Sequence, residues 1–322
     1  MKILLLTPAK KGSKNGNRTS ALRWAKLLRK QGHRVDIKTD YNGESTDLVI
    51  ALHAWRSAAA IARYRASYAR GHLIVALGGT DVNTFLKTDP ETTLKSMREA
   101  HALVCLHDLI SLELPLDLRS KLRVIYQSAQ DLSQPRQPRQ GYFDVLVIGH
   151  LRAEKDPFRC ALAAGLMPAS SRLRVLHFGK AHSPEWAEQA SQHTATNVRY
   201  QWCGEVPGWR IRRELARCQL MVISSRQEGG ANVVSEALVA GVPIIASDIP
   251  GNTGLLGADY PGYYALADEV ALASLLARAE NDRSYLSILE KHCVDLAPKF
   301  SARRESEAWA VLINEVSQVE PG

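Results

Sequence analysis

Short apolar runs alternate with amphipathic stretches along most of the chain. Lys2 to Thr7 reads as a strand, Arg18 to Gln31 carries apolar positions at helical spacing until Gly32 stops it, and Arg34 to Thr39 reads as the next strand. This is a βαβ opening. Runs at Asp47 to Leu52, Leu73 to Leu77, Ala102 to Leu106 and Leu122 to Tyr126 continue the alternation. Continuously apolar strands of this kind suit a parallel sheet covered on both faces. Residues 1–126 are therefore predicted to form one doubly wound domain. The pattern breaks at "QSAQDLSQPRQPRQG", residues 127–141, where glutamine, proline and arginine crowd together without an apolar period, as expected of a linker. The rhythm then restarts, with strands predicted at Phe143 to Gly149, Leu173 to Phe178, Val198 to Trp202, Leu220 to Ser224 and Pro243 to Ala246. Residues 142–298 are predicted to form a second doubly wound domain. A last helical pattern, Ala302 to Val316, puts Trp309, Leu312 and Val316 on one face, so that residues 299–322 are expected to return to the first domain. The predicted fold class is α/β, two doubly wound Rossmann-like domains facing across a cleft, with ligands outside the carboxyl ends of the strands.

Composition narrows the chemistry. The chain has 322 residues and five cysteines, odd in number and scattered without a CxxC pair, so reduced thiols are expected and no metal site. The opening apolar run is shorter than a signal peptide's, and no stretch is apolar for the width of a bilayer. A soluble cytoplasmic protein with no membrane partner is predicted. The formal charge of +8 calls for acidic partners, yet the basic residues are dispersed without a nucleic-acid module. A small anionic ligand is the expected partner. The oligomeric state is not readable.

The loops at the predicted strand ends carry the candidate chemistry. In "SSRQEGGANVVSEALVAGVPIIASDIPG" a strand ends, a loop containing Glu228, Gly229 and Gly230 follows, and a helix begins near Ala231 or Asn232, with Gly241 as its stop. The glycines let backbone amides approach a ligand, and the helix N-terminus favours a phosphate. Glu236, about a turn into the helix, can accept hydrogen bonds from two adjacent hydroxyls, as on a ribose, and Glu228 can do the same for a sugar. In the first domain, "PAKKGSKNGNR" offers Lys10, Lys14, Gly16 and Arg18, with Asn17 as a candidate helix N-cap. It fits neither a Walker A loop nor GxGxxG, and suits a small oxyanion. Two more strand-end loops, around His53 and around Thr80 and Asp81, would border the same cleft.

The segment from Glu228 to Glu236 resembles the E-x7-E motif of glycosyltransferase family 4, whose members have the two-domain GT-B fold and transfer sugars from nucleotide donors. The resemblance implies that Glu236 binds the ribose, that Glu228 lies against the donor sugar, and that the run Gly229, Gly230, Ala231 and Asn232 holds the sugar and distal phosphate. "IGHLRAEKDP" is similar to the family's pyrophosphate loop: Lys155 is its lysine, His150 stands where an arginine is usual, and Arg152, two residues on, is the alternative cation. "CGEVPGW", with Gly204 and Glu205, resembles the loop that cradles the base; for Trp209 a core or turn role is expected.

Read in order, "GNRTSALRWAKLL", "ALHAWRSAAAIARYR", "GTDV", "RVIYQS", "GHLRAEKDPFR", the E-x7-E segment and "GLLGADYPGYY" resemble the selenosugar synthases of selenoneine biosynthesis, over nearly the whole chain. That resemblance implies transfer from UDP-N-acetylglucosamine or UDP-glucose to selenophosphate, without a metal or other cofactor. Lys155, Arg152, Glu228 and His53 are then the catalytic candidates, and Lys10, Lys14, Gly16, Asn17, Arg18, Thr80 and Asp81 the acceptor-binding ones. The rival is an ordinary family 4 enzyme using a hydroxyl acceptor. A dehydrogenase is disfavoured by the missing GxGxxG, and a solute-binding protein by the missing export signal.

Overall fold

The computed structural model describes residues 1–13 and 16–318, so Lys14 of the candidate acceptor loop lies outside the described residues. The chain divides into two compact units, residues 1–127 with 302–322, and residues 128–301.

In the first unit six parallel strands, β1 (Lys2–Leu6), β2 (Arg34–Lys38), β3 (Leu48–Leu52), β4 (His72–Ala76), β5 (Ala102–Cys105) and β6 (Leu122–Val124), form a sheet in the order β2-β1-β3-β4-β5-β6. Side chains alternate between the faces of a strand, and here both faces are apolar. Leu4, Val49, Ala51, Leu73, Val75 and Leu103 join one core with Ile61, Tyr64 and Met97 from the helices Ala58–Ser67 and Pro90–Glu99. Ile3, Leu5, Leu48, Ile50, Ile74 and Val104 join the other, with Trp24, Ala25 and Leu28 of the helix Gly16–Lys30 and Trp309, Leu312, Ile313 and Val316 of the helix Ala302–Ser317. Two covered faces explain the unbroken apolar runs.

The final helix is fastened by more than apolar contact. Trp309 and Trp24 pack with ring centroids 4.8 Å apart. The buried carboxylate of Glu305 accepts from Trp24 Nε1 at 2.8 Å and from Arg23 Nε at 3.1 Å. Arg23 in turn donates to Gln127 Oε1 at 2.7 Å, which ties the end of the first segment to the same helix pair.

The second unit repeats the plan with β7 (Phe143–Ile148), β8 (Leu173–Phe178), β9 (Tyr200–Trp202), β10 (Leu220–Ile223), β11 (Ile244–Ser247) and β12 (Tyr263–Tyr264), all parallel, in the order β12-β11-β10-β7-β8-β9. The two-residue β12 has no counterpart in the hydrophobic pattern, which is too short there to register. The segment expected as a linker is laid along this unit from Ser128 onward. Arg136 donates to the carbonyls of Gly241 and Cys218, the amides of Gln137 and Arg139 bond to the carbonyls of Ala216 and Arg217, and Arg139 pairs with Asp144 at 2.9 Å. Asp144, fully buried on β7, also receives Arg174 at 2.8 and 3.0 Å. Arginines spaced by polar residues thus act as fasteners, which composition alone does not distinguish from solvated linker. At the other boundary, Phe300 is buried and its carbonyl accepts from Ala129 N, so the second unit runs to Ser301. No helix among the described residues is long and apolar enough to cross a membrane.

Truncating Trp309 removes a fully buried ring that both covers the sheet and packs at a tilt against Trp24. Trp309→Ala is expected to destabilise the first unit by about 3–5 kcal/mol. Denaturant unfolding followed in that unit checks it; a loss below about 1 kcal/mol would show that the last helix is not integral to the core.

Candidate functional site

In a doubly wound sheet the crevice opens where the strand order reverses. In the second unit that point lies between β7 and β10: β8 and β9 extend to one side of β7, and β10 returns on the other. Lys155 follows β7 and Glu228 follows β10. Their side chains meet, Lys155 Nζ donating to Glu228 Oε1, with both largely shielded from solvent. Ser225 Oγ donates to the same oxygen at 2.6 Å. The two loops are stitched by backbone as well: Ser224 Oγ donates to the carbonyl of Asp156 at 2.9 Å, and Arg226 N to that of Glu154 at 2.8 Å. Asp156 adopts a left-handed conformation, φ 42°, in the tight turn that follows Lys155.

Glycines set the backbone spacing. A Cβ at Gly251 would fall 2.4 Å from the Glu228 carbonyl oxygen, and one at Gly179 only 1.8 Å from that of Gly149. Gly230 has φ +118°, and Ala231 serves as the N-cap of the helix Asn232–Val239 without any side-chain cap bond. The N-terminus of this helix therefore lies beside Glu228, Gly229 and Gly230 without a side-chain cap bond, an arrangement suited to an anion. Glu236 sits one turn in and is half-buried, and the helix closes at Gly241, φ +64°.

Beside β7, the loop after β8 contributes a backbone donor. Lys180 N donates to His150 Nδ1 at 3.1 Å, which leaves the proton of a neutral imidazole on Nε2. Burial first, then the His182 ring 5.2 Å away, hold His150 below the ordinary histidine pKa. His177, fully buried on β8, donates from Nε2 to the Gly149 carbonyl at 3.0 Å and receives Tyr200 Oη–H on Nδ1 at 2.8 Å. Arg152 lies 3.9 Å from Glu154, within its own turn. Gly204, φ +67°, follows β9, its carbonyl accepting from Gly179 N at 2.9 Å, and Glu205 next to it is exposed. Trp209 is 58% exposed on the helix Gly208–Leu215, which corrects the core or turn role expected for it: its neighbours in that helix are arginines, and only Ile211, Glu214 and Leu215 face inward.

In the first unit the reversal lies between β1 and β3. His53, directly after β3, is buried with φ +74°. Its Nδ1 lies 2.6 Å from Asp81 Oδ1 and its Nε2 2.7 Å from Thr80 Oγ1. Asp81 is fully buried and accepts three backbone N–H groups, from Ala54 and Gly78 at 2.8 Å and Trp55 at 2.9 Å. A carboxylate so saturated is a clamp between the loops after β3 and β4 rather than a group open to a ligand. Arg56 Nε reaches His53 Nε2 at 3.2 Å, a contact that the loop's sequence does not announce. After β1, Lys10 is exposed and its carbonyl closes a turn with Ser13 N. The helix already includes Gly16, so Asn17 lies inside its first turn and is not its N-cap, contrary to expectation; Arg18 follows it, partly buried. Among the described residues no three His, Cys, Asp or Glu side chains gather as a metal site.

Sequence and structure comparisons agree with this geometry. Sucrose-phosphate synthase from Thermosynechococcus elongatus has a TM-score of 0.80 at 15% identity, covering 98% of each chain. HepE of Anabaena, in complex with UDP, has a TM-score of 0.78 at 15% identity over 98% of this chain and 100% of that one. The fold is thus that of the GT-B glycosyltransferases, two Rossmann-like units each built on a six-stranded parallel sheet. Residues 129–298, more than half of the chain, match the family "Glycosyl transferases group 1", and the protein belongs to that family. "Glycosyltransferase 1 domain-containing protein 1" of Xenopus tropicalis is 24% identical over 282 residues, 80% of this chain and 81% of the relative.

His177 makes the second unit acid-sensitive. Burial lowers its pKa to about 4 from 6.5. Between those values the unfolded chain binds the proton that the folded chain refuses, so stability falls as pH drops from 6.5 towards 4, by about 3 kcal/mol in full. The difference in unfolding free energy between the protein and His177→Gln should shrink over that window. A pH-independent difference would remove His177 as the cause.

Proposed function

We propose that the protein is a selenosugar synthase: it transfers a sugar from UDP-N-acetylglucosamine or UDP-glucose to selenophosphate, forming a carbon–selenium bond and releasing UDP. The observation that carries the donor half is the Lys155–Glu228 contact at the strand-order reversal of the second unit, next to the N-terminus of the helix Asn232–Val239. An ammonium has three donors, so Lys155 can keep Glu228 with one and offer the others to a diphosphate. On this reading His150 Nε2–H and the backbone of Gly229 to Asn232 add neutral donors, Glu236, one turn along, is assigned to the ribose, and Gly204 and Glu205 to the base. The UDP bound to HepE, a chain of the same fold, supports a uridine donor. The acceptor half rests on the resemblance of the strand-end segments to selenosugar synthases.

In the proposed reaction the selenium lone pair attacks the anomeric carbon while the bond to the UDP oxygen breaks and its electron pair leaves on the diphosphate. Lys155, His150 and the helix amides stabilise that departing charge in place, without rearrangement. Glu228, held beside Lys155, steadies positive charge developing on the sugar. Hydrolysis then frees the phosphate from selenium. No base is needed, because the nucleophile carries no proton to remove.

A second reading, transfer to a hydroxyl acceptor, is favoured by the His53–Asp81 pair, since an imidazole oriented by a carboxylate is a general-base arrangement. Anaerobic incubation with each UDP-sugar, with and without selenophosphate, followed by mass spectrometry, separates the two. Selenophosphate-dependent UDP and a selenium-containing sugar are expected; UDP release that depends on a hydroxyl compound instead would establish the second reading. Lys155→Met should raise the UDP dissociation constant at least about tenfold, or ~1.4 kcal/mol, by calorimetry. Unchanged UDP affinity would remove Lys155 from the donor site.

A further inference from the structure

Arg56 stands out in the first unit as an exposed cation with a fixed position. Its Nε meets His53 Nε2 at 3.2 Å, and its guanidinium carbon lies 5.8 Å from the Phe85 ring centroid. Phe85 is itself stacked on Trp55 at 3.9 Å with the rings 2° from parallel, and Trp55 Nε1 donates to Asp89 at 2.8 Å. Behind His53 stands Asp81, immobilised by three amides and the imidazole. The guanidinium is therefore held on one edge by the imidazole and backed by an aromatic stack. Among the described residues its terminal nitrogens have no hydrogen-bond partner.

This arrangement is costly to build. A non-glycine residue at φ +74° stores about 1–3 kcal/mol of strain. Gly78 is needed for the ring to fit, since a Cβ there would sit 2.9 Å from His53 Cδ2. Immobilising an arginine at the surface costs side-chain entropy, which is recovered when a ligand binds to a fork already in position. Arg56 also lies just past the reversal between β1 and β3, the ligand-binding end of such a sheet.

We infer that Arg56 binds a phosphate-type oxyanion of the acceptor, through a guanidinium positioned by His53 and, behind it, Asp81. The inference rests on the glycosyltransferase reading above and specifies the acceptor's chemistry. The terminal nitrogens suit two oxygens of one tetrahedral anion, which lysine cannot match. Such an anion is selenophosphate itself or the phosphate of a phosphorylated hydroxyl acceptor.

The test is phosphorus NMR titration of the full chain with inorganic phosphate, thiophosphate and glycerol 3-phosphate, in the presence of UDP so that the loops around Lys155 are filled. Arg56→Gln is expected to weaken phosphate binding at least about tenfold, and Arg56→Lys to restore only part of it. His53→Gln should weaken binding too, yet add nothing once Arg56 is already glutamine, a non-additivity that a general loss of structure would not produce. Tighter binding of thiophosphate than of glycerol 3-phosphate would identify selenophosphate as the source, and the reverse order a phosphorylated hydroxyl compound; both agree with the role of Arg56. Phosphate binding unchanged in Arg56→Gln, or absent from the unaltered protein, would overturn it. UDP calorimetry on the same samples is the separate check: absent UDP binding would sink the donor reading and leave the Arg56 comparison interpretable.

Discussion

The contact between Lys155 and Glu228 organises the ligand end of the second unit. Seventy-three residues separate the partners in sequence, and they meet because β7 and β10 are neighbours in the sheet. A carboxylate that retains only a tenth of its exposure cannot be left without a cation, since an uncompensated buried charge costs several kcal/mol. The remaining local features follow from keeping that pair together. Ser225 occupies a lone pair of Glu228, Gly251 lets the next loop pack on its backbone, and Ser224 and Arg226 bond to the loop bearing Lys155. The charges are neutralised at rest. On the proposed reading, an arriving diphosphate meets a lysine whose position is already set, and the neutral donors around it need no counter-charge of their own.

The first unit solves a related problem with the opposite economy of charge. Its buried carboxylate, Asp81, is saturated by backbone amides and one imidazole, and the cation at the end of the chain of contacts, Arg56, is left at the surface. In the second unit the ion pair is internal and the donors beside it are amides. In the first, the open donor is a full charge. The two arrangements suit different ligands: a bulky diphosphate spread over several neutral donors, and a compact anion gripped by one fork.

Much of this was legible in the chain, and the divide has a physical cause. Apolar runs without alternation reported sheets covered on both faces, and Trp309, Leu312 and Val316 reported the buried face of the last helix, because periodicity reflects which side of an element is dry. The strand-end glycines and glutamates were legible through their motif. What could not be read were partnerships between distant loops. Asp81 reads as a ligand-facing acid, yet its partners are the imidazole of His53 and the amides of Ala54 and Trp55 from the preceding strand-end loop, with the Gly78 amide from its own. Arg136 and Arg139 looked like linker residues because nothing local distinguishes an arginine in water from one bonded to Gly241, Cys218 or Asp144. Asn17 matched the residue type of a cap, but the helix begins before it. Trp209, expected in a core or turn, is turned outward by its helix.

The occupancy of His53 bears on which nucleophile the proposed site would serve. For an imidazole to take a proton from a hydroxyl, the lone pair of its outer nitrogen must face that hydroxyl. Here Nε2 already meets Thr80 Oγ1 at 2.7 Å and Arg56 Nε at 3.2 Å. Base catalysis would require both contacts to give way, whereas orientation of Arg56 uses them as they stand. A nucleophile that arrives deprotonated and anionic asks only for the second. On the proposed reading, the His53–Asp81 pair therefore serves the acceptor through charge placement, and its likeness to a general-base pair reflects how carboxylates orient imidazoles rather than what this imidazole does.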